Sequence, residues 1–583
     1  MEVYLQGMGV SPGIAIAPVL HYSRSAFEIP KHAITDVSGE LARLDRAVSK
    51  VRHELNEIYQ KTLDAVGEAH ADIFRVHLMI LEDVALRDDL AAQMEEEKLN
   101  VEFILDSIAK RYTEMMNNIQ DQRFRERTAD LLDVVDRLQR HLLGSNRPML
   151  RQIPKPSILV ARDLTPSDTA TLDLDKALGM LVETGSPTSH SAILARALEI
   201  PAVIGISVSN KSLSSGSLII LDGTSGVVII NPSAETVEKY QLEQQRLQSV
   251  QDHLLQNIQA GPACTADGNP VTLESNIELP LEIKHSLKMN VQGVGLYRTE
   301  YLYFNRDTLP SEEEQYQAYA HVAAELSPAP VTLRTMDIGG DKFVKYLQNY
   351  NDNNPQLGLR AIRLCLANPD IFKVQLRAML RASAHGTIQI MFPMISSIEE
   401  LREAKAVLAK ARKELDEEGI PYDPDLKVGS MIEVPSAALQ ADHMAAECDF
   451  FSLGTNDLIQ YLLAVDRVNE KIAHLYEPAH PSVIRMIHMV TAAAAAHDIP
   501  CSICGEMAGD PFYTELLLGL GVSSLSMASV SIPAIRARIS ELTLAEARKL
   551  AEAILQKATA SEVKTLLQSR PGNGREGVDS ENT

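Results

Sequence analysis

Between residues 261 and 570, short apolar stretches alternate with segments of helical spacing, and this alternation constrains the fold more than any other feature. Eight of the stretches have the length and composition of buried strands. They are PVTLESN (270–276), GVGLYRTEY (293–301), VTLRTMDIG (331–339), TIQIMFPMI (387–395), VGSMIEV (428–434), FFSLGTND (450–457), CSICGE (501–506) and SLSMAS (524–529). Eight strands separated by helices over about 300 residues predict a (β/α)8 TIM barrel.

A different pattern covers the chain from about Asp36 to Leu143, where proline is absent and glycine is rare. Apolar residues recur there at intervals of three and four, which predicts a bundle of helices. The first of them are Leu41, Leu44, Val48, Val51, Leu55 and Ile58. Residues 36–141 carry 23 acidic and 15 basic side chains, a balance that by itself favours a solvated surface over a docking face.

Short strand and turn patterns lie on both sides of the predicted bundle, so we expect them to form one α/β domain into which the bundle is inserted. A polar, glutamine-rich segment of helical spacing follows at 235–259 and ends before Gly261-Pro262. The predicted organisation is an α/β domain (1–21 and 147–232), an inserted helical subdomain (22–146), a linker helix (233–260), the barrel (261–570) and a flexible tail (571–583).

Composition narrows the possible partners and the compartment. The chain has 78 acidic and 55 basic residues, a net charge of −23, which argues against general nucleic-acid binding and suits a basic protein partner. No apolar run reaches the length of a membrane span, and the first residues lack the basic region of a signal peptide. Five scattered cysteines do not form a disulfide framework. We therefore expect a cytoplasmic protein with no membrane insertion.

The ends of the predicted barrel strands carry a concentration of polar side chains, and active sites of such barrels lie at the carboxyl ends of the strands. Each residue taken alone is better explained as part of a surface ion pair or as a loop cap. As a set, the arginines suit a ligand with phosphate and carboxylate groups, and two carboxylates suit Mg²⁺. The set comprises Arg298, Arg334, Arg360, Glu433, Asn456, Asp457, Arg467 and Cys504. It predicts a small phosphorylated acid as substrate.

Cys501 and Cys504 are three residues apart, but on a strand this spacing turns their side chains to opposite faces. A redox or zinc pair is therefore weakly supported, and a single thiol, Cys504, is the better candidate for a proton donor.

Elsewhere, the stretch GSPTSHSAILARALEIP places His190 where a helical pattern begins. A helix start favours a bound anion and a neutral imidazole, so His190 could accept a phosphoryl group, although a lone histidine there is more often a capping residue.

Nine motifs together resemble enzyme I of the bacterial phosphotransferase system, in order and along essentially the whole chain. They are SPGIAIA, LTPSDTA, TSHSAILARALEIPAVIG, GVGLYRTEYLYF, TMDIGGDK, LGLRAIR, IMFPMI, FFSLGTNDLIQYLLAVDR and CGEMAGD. The resemblance implies transfer of a phosphoryl group from phosphoenolpyruvate to Nε2 of His190 and then to the phosphocarrier protein HPr. It also implies an HPr-docking role for the helical subdomain and a homodimer formed by the barrels.

The resemblance further implies a role for each matching residue. His190 would carry the phosphoryl group beside Thr169, and Cys504 would protonate the enolate carbon to give pyruvate. Glu433 and Asp457 would bind Mg²⁺. The residues matching the phosphoenolpyruvate contacts are Arg298, Arg334, Lys342, Arg360, Asn456 and Arg467.

Three positions depart from the family pattern: Pro187 stands where an arginine is usual, Leu359 replaces a tryptophan, and Val468 replaces a glycine. Pro187 puts in doubt how the loop before His190 steadies phosphate or meets its partner. Pyruvate phosphate dikinase and phosphoenolpyruvate synthase share two of the domains, but they need a nucleotide-binding domain that we do not expect here. A nitrogen-branch or regulatory paralogue acting on another HPr-like carrier, or a non-catalytic phosphoenolpyruvate-binding regulator, remain the alternatives.

Overall fold

A computed structural model shows the chain as two compact units, Met1–Ser249 and Val250–Thr583. The residues that the structure describes are 2–22, 29–66, 68–117, 122–143, 153, 155–162, 164, 172, 176–183, 192, 195, 200–206, 213, 216–256, 261–303, 309–339, 354–467, 469 and 471–570. Within them, no helix combines the length and the apolar composition that a membrane crossing requires.

The sheet of the first unit is built from strands on both sides of the helical insertion. Its strands are β1 (Val3–Gln6), β2 (Met8–Ser11), β3 (Ile14–Tyr22), β4 (Ser157–Ala161), β5 (Ala177–Val182), β6 (Ala202–Ile204), β7 (Leu218–Asp222) and β8 (Val227–Ile230). They lie in the order β1-β8-β7-β3-β4-β5-β6-β2. β3 pairs in parallel with β4 and antiparallel with β7, so the chain returns to the same sheet after the insertion.

The described residues between β3 and β4 form five helices, as the spacing of apolar residues predicts. They are α1 (Val37–Val66), α2 (Glu68–Leu81), α3 (Val84–Glu97), α4 (Val101–Asn117) and α5 (Gln122–Leu142). Val51, Leu55 and Ile58 of α1 are almost completely buried and share a core with Phe74 of α2 and Leu105 of α4. The apolar stripe of α1 therefore faces the interior of the bundle. After β8, the predicted polar helix is α6 (Ala234–Gln256).

The second unit is a closed barrel, which confirms the fold class predicted from the eight strands. An antiparallel strand, β9 (Ala263–Cys264), precedes β10 (Pro270–Ile277), β11 (Val294–Arg298), β12 (Val331–Arg334), β13 (Ile388–Phe392), β14 (Lys427–Ile432), β15 (Phe451–Leu453), β16 (Cys501–Ile503) and β17 (Ser524–Met527). All neighbouring barrel strands are parallel, and β17 pairs with β10 to close the ring.

Helices follow the barrel strands and bury their apolar faces on the outside of the ring. They are α7 (Ile283–Lys288), α8 (Glu312–Leu326), α9 (Ala361–Ala367), α10 (Pro369–Ala382), α11 (Ile398–Glu418), α12 (Pro435–Leu439), α13 (Ala441–Ala445), α14 (Thr455–Leu463), α15 (Pro481–Ala496), α16 (Pro511–Gly519), α17 (Ile532–Glu541), α18 (Leu544–Leu555) and α19 (Ala560–Gln568). The parallel order brings the carboxyl ends of all eight strands to one mouth.

Candidate active site at the barrel mouth

The structure places four residues of the predicted set at, or directly after, the carboxyl ends of strands, whereas Arg360 and Arg467 lie further along the connecting segments. Arg298 and Arg334 are the last residues of β11 and β12, and these two residues are register partners in the parallel ladder. Glu433 and Cys504 directly follow β14 and β16. Strands that are far apart in the sequence thus place their end residues at the same mouth of the barrel.

Some predicted strands are longer than the observed ones, and this changes where two site residues lie. The stretch FFSLGTND forms a strand only over Phe451–Leu453, and α14 begins at Thr455. Asn456 and Asp457 therefore occupy the first turn of a helix instead of a strand end. Gly454 separates the two elements, and an added Cβ there would lie 2.6 Å from Oε2 of Glu433. This close approach explains why a residue without a side chain occupies the turn.

Two of the arginines are joined by a buried aspartate that sequence analysis did not single out. Nη1 of Arg334 lies 3.0 Å from Oδ2 of Asp337, and Nη2 of Arg360 lies 2.8 Å from Oδ1. Arg334 also pairs with Glu300, a second buried carboxylate. Burial alone would raise the pKa of Asp337, but the charges of Arg334 and Arg360 outweigh it and lower that pKa below its usual value.

Further hydrogen bonds and ion pairs orient the arginines at the mouth. Arg360 donates from Nη1 to the side-chain oxygen of Gln356 and lies 3.2 Å from the hydroxyl of Tyr461. Its Nη2 is 3.3 Å from Oδ2 of Asp457. Arg298 pairs with Glu278, which follows β10. Each guanidinium is therefore fixed by carboxylates at the mouth, and this fixing favours a preorganised anion site.

Glu433 and Asp457 are two carboxylates close enough to influence one another. Burial, followed by the negative charges of Asp457 and Asp337, raises the pKa of Glu433 to about 8. The backbone N–H of Met394 donates to Oε1 of Glu433 at 2.7 Å, and Met394 adopts a left-handed φ of 57°. Strained backbone of this kind persists where surrounding structure enforces it, and here it fixes the position of a carboxylate.

Asn456 and Arg467 lie together at the exposed edge of the mouth and share a partner. Asn456 donates from Nδ2 to Oε1 of Glu506 at 3.0 Å, and the Glu506 backbone N–H donates back to Oδ1 at 2.9 Å. Nη1 of Arg467 is 3.3 Å from the same Glu506 oxygen. Glu506 is highly exposed, so an incoming anion could compete with it for both donors.

The thiol of Cys504 is buried in a small apolar cluster with Leu296, Met391, Met431 and Phe450. Burial raises the pKa of Cys504 to about 11. The thiol is therefore protonated at neutral pH, and its Sγ lies 3.6 Å from the carbonyl oxygen of Leu453. Cys501 and Cys504 are both free thiols.

Three residues that the resemblance assigns lie outside the described residues: Thr169, His190 and Lys342. Pro187 and Val468 also lie outside them, whereas Leu359 is packed against the barrel core.

Sequence reasoning missed the acidic partners of Arg298, Arg334 and Arg360, which are Glu278, Glu300 and Asp337. Glu278 follows β10 directly, and Asp337 lies within TMDIGGDK, three residues after Arg334. A search for carboxylates within a few residues of every strand end would have found all three. What the sequence does not contain is a signal that pairs each of them with a particular arginine.

The charges at the mouth bear on which metal ion fits. The described ion pairs at the mouth and their electrostatic neighbours comprise six carboxylates and four guanidiniums: Glu278, Glu300, Asp337, Glu433, Asp457 and Glu506 with Arg298, Arg334, Arg360 and Arg467. The described residues contain no cluster of three or more metal-ligating side chains. The hard oxygen donors of Glu433 and Asp457, whose like charges disfavour each other, fit one divalent cation, and two carboxylates are a usual ligand number for Mg²⁺.

Three family descriptions match the chain in sequence order. They are "PEP-utilising enzyme, N-terminal" over residues 6–127, "PEP-utilising enzyme, mobile domain" over residues 153–226, and "PEP-utilising enzyme, PEP-binding domain" over residues 252–544. The last match covers the barrel and its mouth. Fold and site together define a phosphoenolpyruvate-utilising enzyme.

Relatives named "Phosphoenolpyruvate-protein phosphotransferase" are similar along nearly the whole chain. The protein of Bacillus sp. (strain S) is 42% identical over 567 residues, covering 97% of this chain and 98% of the relative. The Bacillus subtilis protein is 42% identical and covers 96% and 98%, and the Haemophilus influenzae protein is 41% identical and covers 97% and 98%. The chain belongs to the phosphoenolpyruvate-protein phosphotransferase family, enzyme I of the bacterial phosphotransferase system.

Proposed function

We propose that the chain transfers the phosphoryl group of phosphoenolpyruvate to Nε2 of its own His190 and then to a histidine of HPr. This is the first step of phosphotransferase sugar uptake. The observation that carries the proposal is the barrel mouth, where fixed guanidiniums, two adjacent carboxylates and a protonated thiol converge. The family membership supports the same reaction.

Substrate binding at this mouth uses the arginines. Arg298, Arg334 and Arg360 supply forked donors for the phosphate and carboxylate groups of phosphoenolpyruvate. The resemblance adds Lys342, Asn456 and Arg467 to this contact set. Since ion pairs fix the arginines before substrate arrives, little of the binding energy is spent on ordering them.

Glu433 and Asp457 are the residues that would hold Mg²⁺. A bound divalent cation would supply electrostatic stabilisation of the negative charge of the phosphoryl group. The mutual repulsion of these carboxylates contributes to the raised pKa of Glu433, and a cation held by both of them would offset it.

The transfer itself is a displacement at phosphorus. Nε2 of His190 attacks, the bond from phosphorus to the enol oxygen breaks, and the enolate keeps the electron pair. The enolate carbon then takes the proton of the Cys504 thiol, which gives pyruvate and a thiolate that solvent reprotonates. The raised pKa of Cys504 keeps that proton available at neutral pH.

The remaining proposals concern partners and location. The helical subdomain docks HPr, Thr169 supports His190, the barrel domains pair as a homodimer, and the protein acts in the cytoplasm. The acidic composition of the bundle supports docking of a basic partner.

The direct test is incubation with labelled phosphoenolpyruvate and Mg²⁺, followed by mass mapping of the modified residue. We expect label on His190 alone and release of pyruvate, and no label on His190→Ala, whose fold is checked by circular dichroism. Label mainly on another histidine would contradict the assignment of His190. Binding of phosphoenolpyruvate without label or pyruvate would instead indicate a regulator, and transfer to another HPr-like carrier would indicate a paralogue.

A further inference from the structure

Asp337 is a buried carboxylate that belongs to neither the predicted substrate contacts nor the predicted metal ligands. It lies three residues beyond Arg334, and its side chain is only 5% exposed. Its two oxygens face two different arginines, Arg334 at 3.0 Å and Arg360 at 2.8 Å. The carboxylate is thus a bridge between guanidiniums that come from different segments of the barrel.

The bridge fixes orientation as well as charge. Nε and Nη2 of Arg360 both lie within hydrogen-bonding distance of Oδ1 of Asp337, at 3.3 Å and 2.8 Å. Arg360 itself is followed by Ala361, which has a left-handed φ of 51°. The backbone strain and the bridge together indicate that the surrounding structure holds Arg360 in one position.

We propose that Asp337 is a positioning residue for phosphoryl transfer. It sets the distance and the relative orientation of Arg334 and Arg360, so that both guanidiniums match the phosphate and carboxylate groups of one substrate molecule. The inference rests on the proposed function of the mouth.

The physical reason is that two arginines pointing into one site repel each other and have flexible side chains. A carboxylate between them offsets the repulsion and restricts both side chains at once. Loss of the bridge leaves the arginines present but displaced, and a displacement of about 1 Å can cost about 100-fold in rate.

The test uses single-turnover labelling of the full chain by phosphoenolpyruvate and Mg²⁺, with the rate measured against substrate concentration. Asp337→Asn keeps the shape and removes the charge, and Asp337→Glu keeps the charge and moves it by about one methylene. We expect each variant to lower the ratio of limiting rate to half-saturating concentration by at least about tenfold. We also expect Asp337→Glu, which keeps a carboxylate beside both arginines, to lower Tm less than Asp337→Asn does.

Glu515 provides a matched control because it is also a buried carboxylate between two arginines. Its side chain is 1% exposed, with Arg538 at 3.3 Å and Arg570 at 2.6 Å, but these partners are not among the substrate contacts. Glu515→Gln should lower Tm and leave the labelling kinetics unchanged. A double-mutant cycle with Arg360→Lys should show coupling for Asp337→Asn and additivity for Glu515→Gln.

Several outcomes would overturn the proposal. Parent-like kinetics in Asp337→Asn would do so. Parent-like kinetics together with a parent-like Tm in Asp337→Glu would also do so, because the negative charge alone, and not its position, would then be what the site requires. If Asp337→Asn does not fold, the kinetics of Asp337→Glu and a double-mutant cycle of Asp337→Glu with Arg360→Lys test the proposal instead. A parent that takes no label would remove the proposed function and this inference together, whereas an active parent with active variants removes only the inference.

Discussion

The barrel mouth and the helical bundle both bury charged side chains, but they do so in different ways. In the bundle, Asp133 on α5 pairs with Arg137 one turn later at 3.0 Å and with His77 on α2 at 3.2 Å. All three side chains are at most 5% exposed. This cluster joins two helices and lies inside the subdomain.

At the barrel mouth, the buried charges lie where the strand ladder stops. Asp337 and Arg334 are nearly as buried as the bundle cluster, at 5% and 9% exposure. Arg298 and Arg467 at the same mouth are much less buried. The comparison teaches that burial of a charge alone does not indicate function. Position at the carboxyl ends of parallel strands is what makes the same ion-pair chemistry available to a ligand.

The largest effect should come from removing a proposed metal ligand at the mouth. Glu433→Ala or Asp457→Ala should slow labelling by phosphoenolpyruvate about 1000-fold, because a hard cation loses a charged ligand. The rate is measured by single-turnover labelling at limiting Mg²⁺. Asp136→Ala, which removes a bundle carboxylate 2.7 Å from Arg140, is the control and should label like the parent. Unchanged rates in both site variants would place the metal elsewhere.

The second effect tests the bundle cluster. Asp133→Ala leaves Arg137 buried without that carboxylate and should destabilise the bundle by about 3 kcal/mol. Hydrogen exchange followed by mass spectrometry should show faster exchange in α2 and α5 and parent-like exchange in the barrel. If instead the barrel peptides change and the bundle peptides do not, the cluster does not have the local structural role that we assign to it.

A smaller effect is expected for the buried thiol. Cys504→Ser should leave phosphoenolpyruvate binding intact and slow pyruvate formation about tenfold to 100-fold, because a hydroxyl is a weaker acid than a thiol. Binding is measured by calorimetry and pyruvate by a coupled assay. Cys365→Ser, at another buried cysteine of the barrel, is the control. Parent-like pyruvate formation in Cys504→Ser would reduce Cys504 to a packing role.

The smallest effect concerns the surface of the bundle. If its acidic residues attract HPr, phosphoryl exchange with HPr should slow by about threefold between about 0.05 M and about 0.3 M salt, since the screening length falls below about 10 Å. The rate of labelling by phosphoenolpyruvate should fall less over the same salt range, because partly buried arginines bind the charged groups of the substrate. If the two reactions depend equally on salt, the bundle surface and the barrel mouth do not differ in how strongly salt screens their charges, and this prediction is wrong.

The sequence by itself determined the elements and most of the mouth. The intervals of three and four in α1 and the eight apolar stretches of the barrel identify helices and strands, because backbone geometry fixes which side chains share a face. Arg298, Arg334, Glu433 and Cys504 could be found because the ends of parallel strands meet in any such barrel.

Only the tertiary structure decided which charges are partners. Asp337 and Arg360 are separated by 23 residues, and Arg360 and Asp457 by 97. It also decided that Asp457 lies in the first turn of a helix, which begins directly after Gly454 passes close to Glu433. The physical reason is that periodicity is local, whereas the contacts between strand ends depend on closure of the ring, in which Thr272 pairs with Ser524. Closure brings distant carboxylates and guanidiniums to within hydrogen-bonding distance and thereby fixes the geometry of the site.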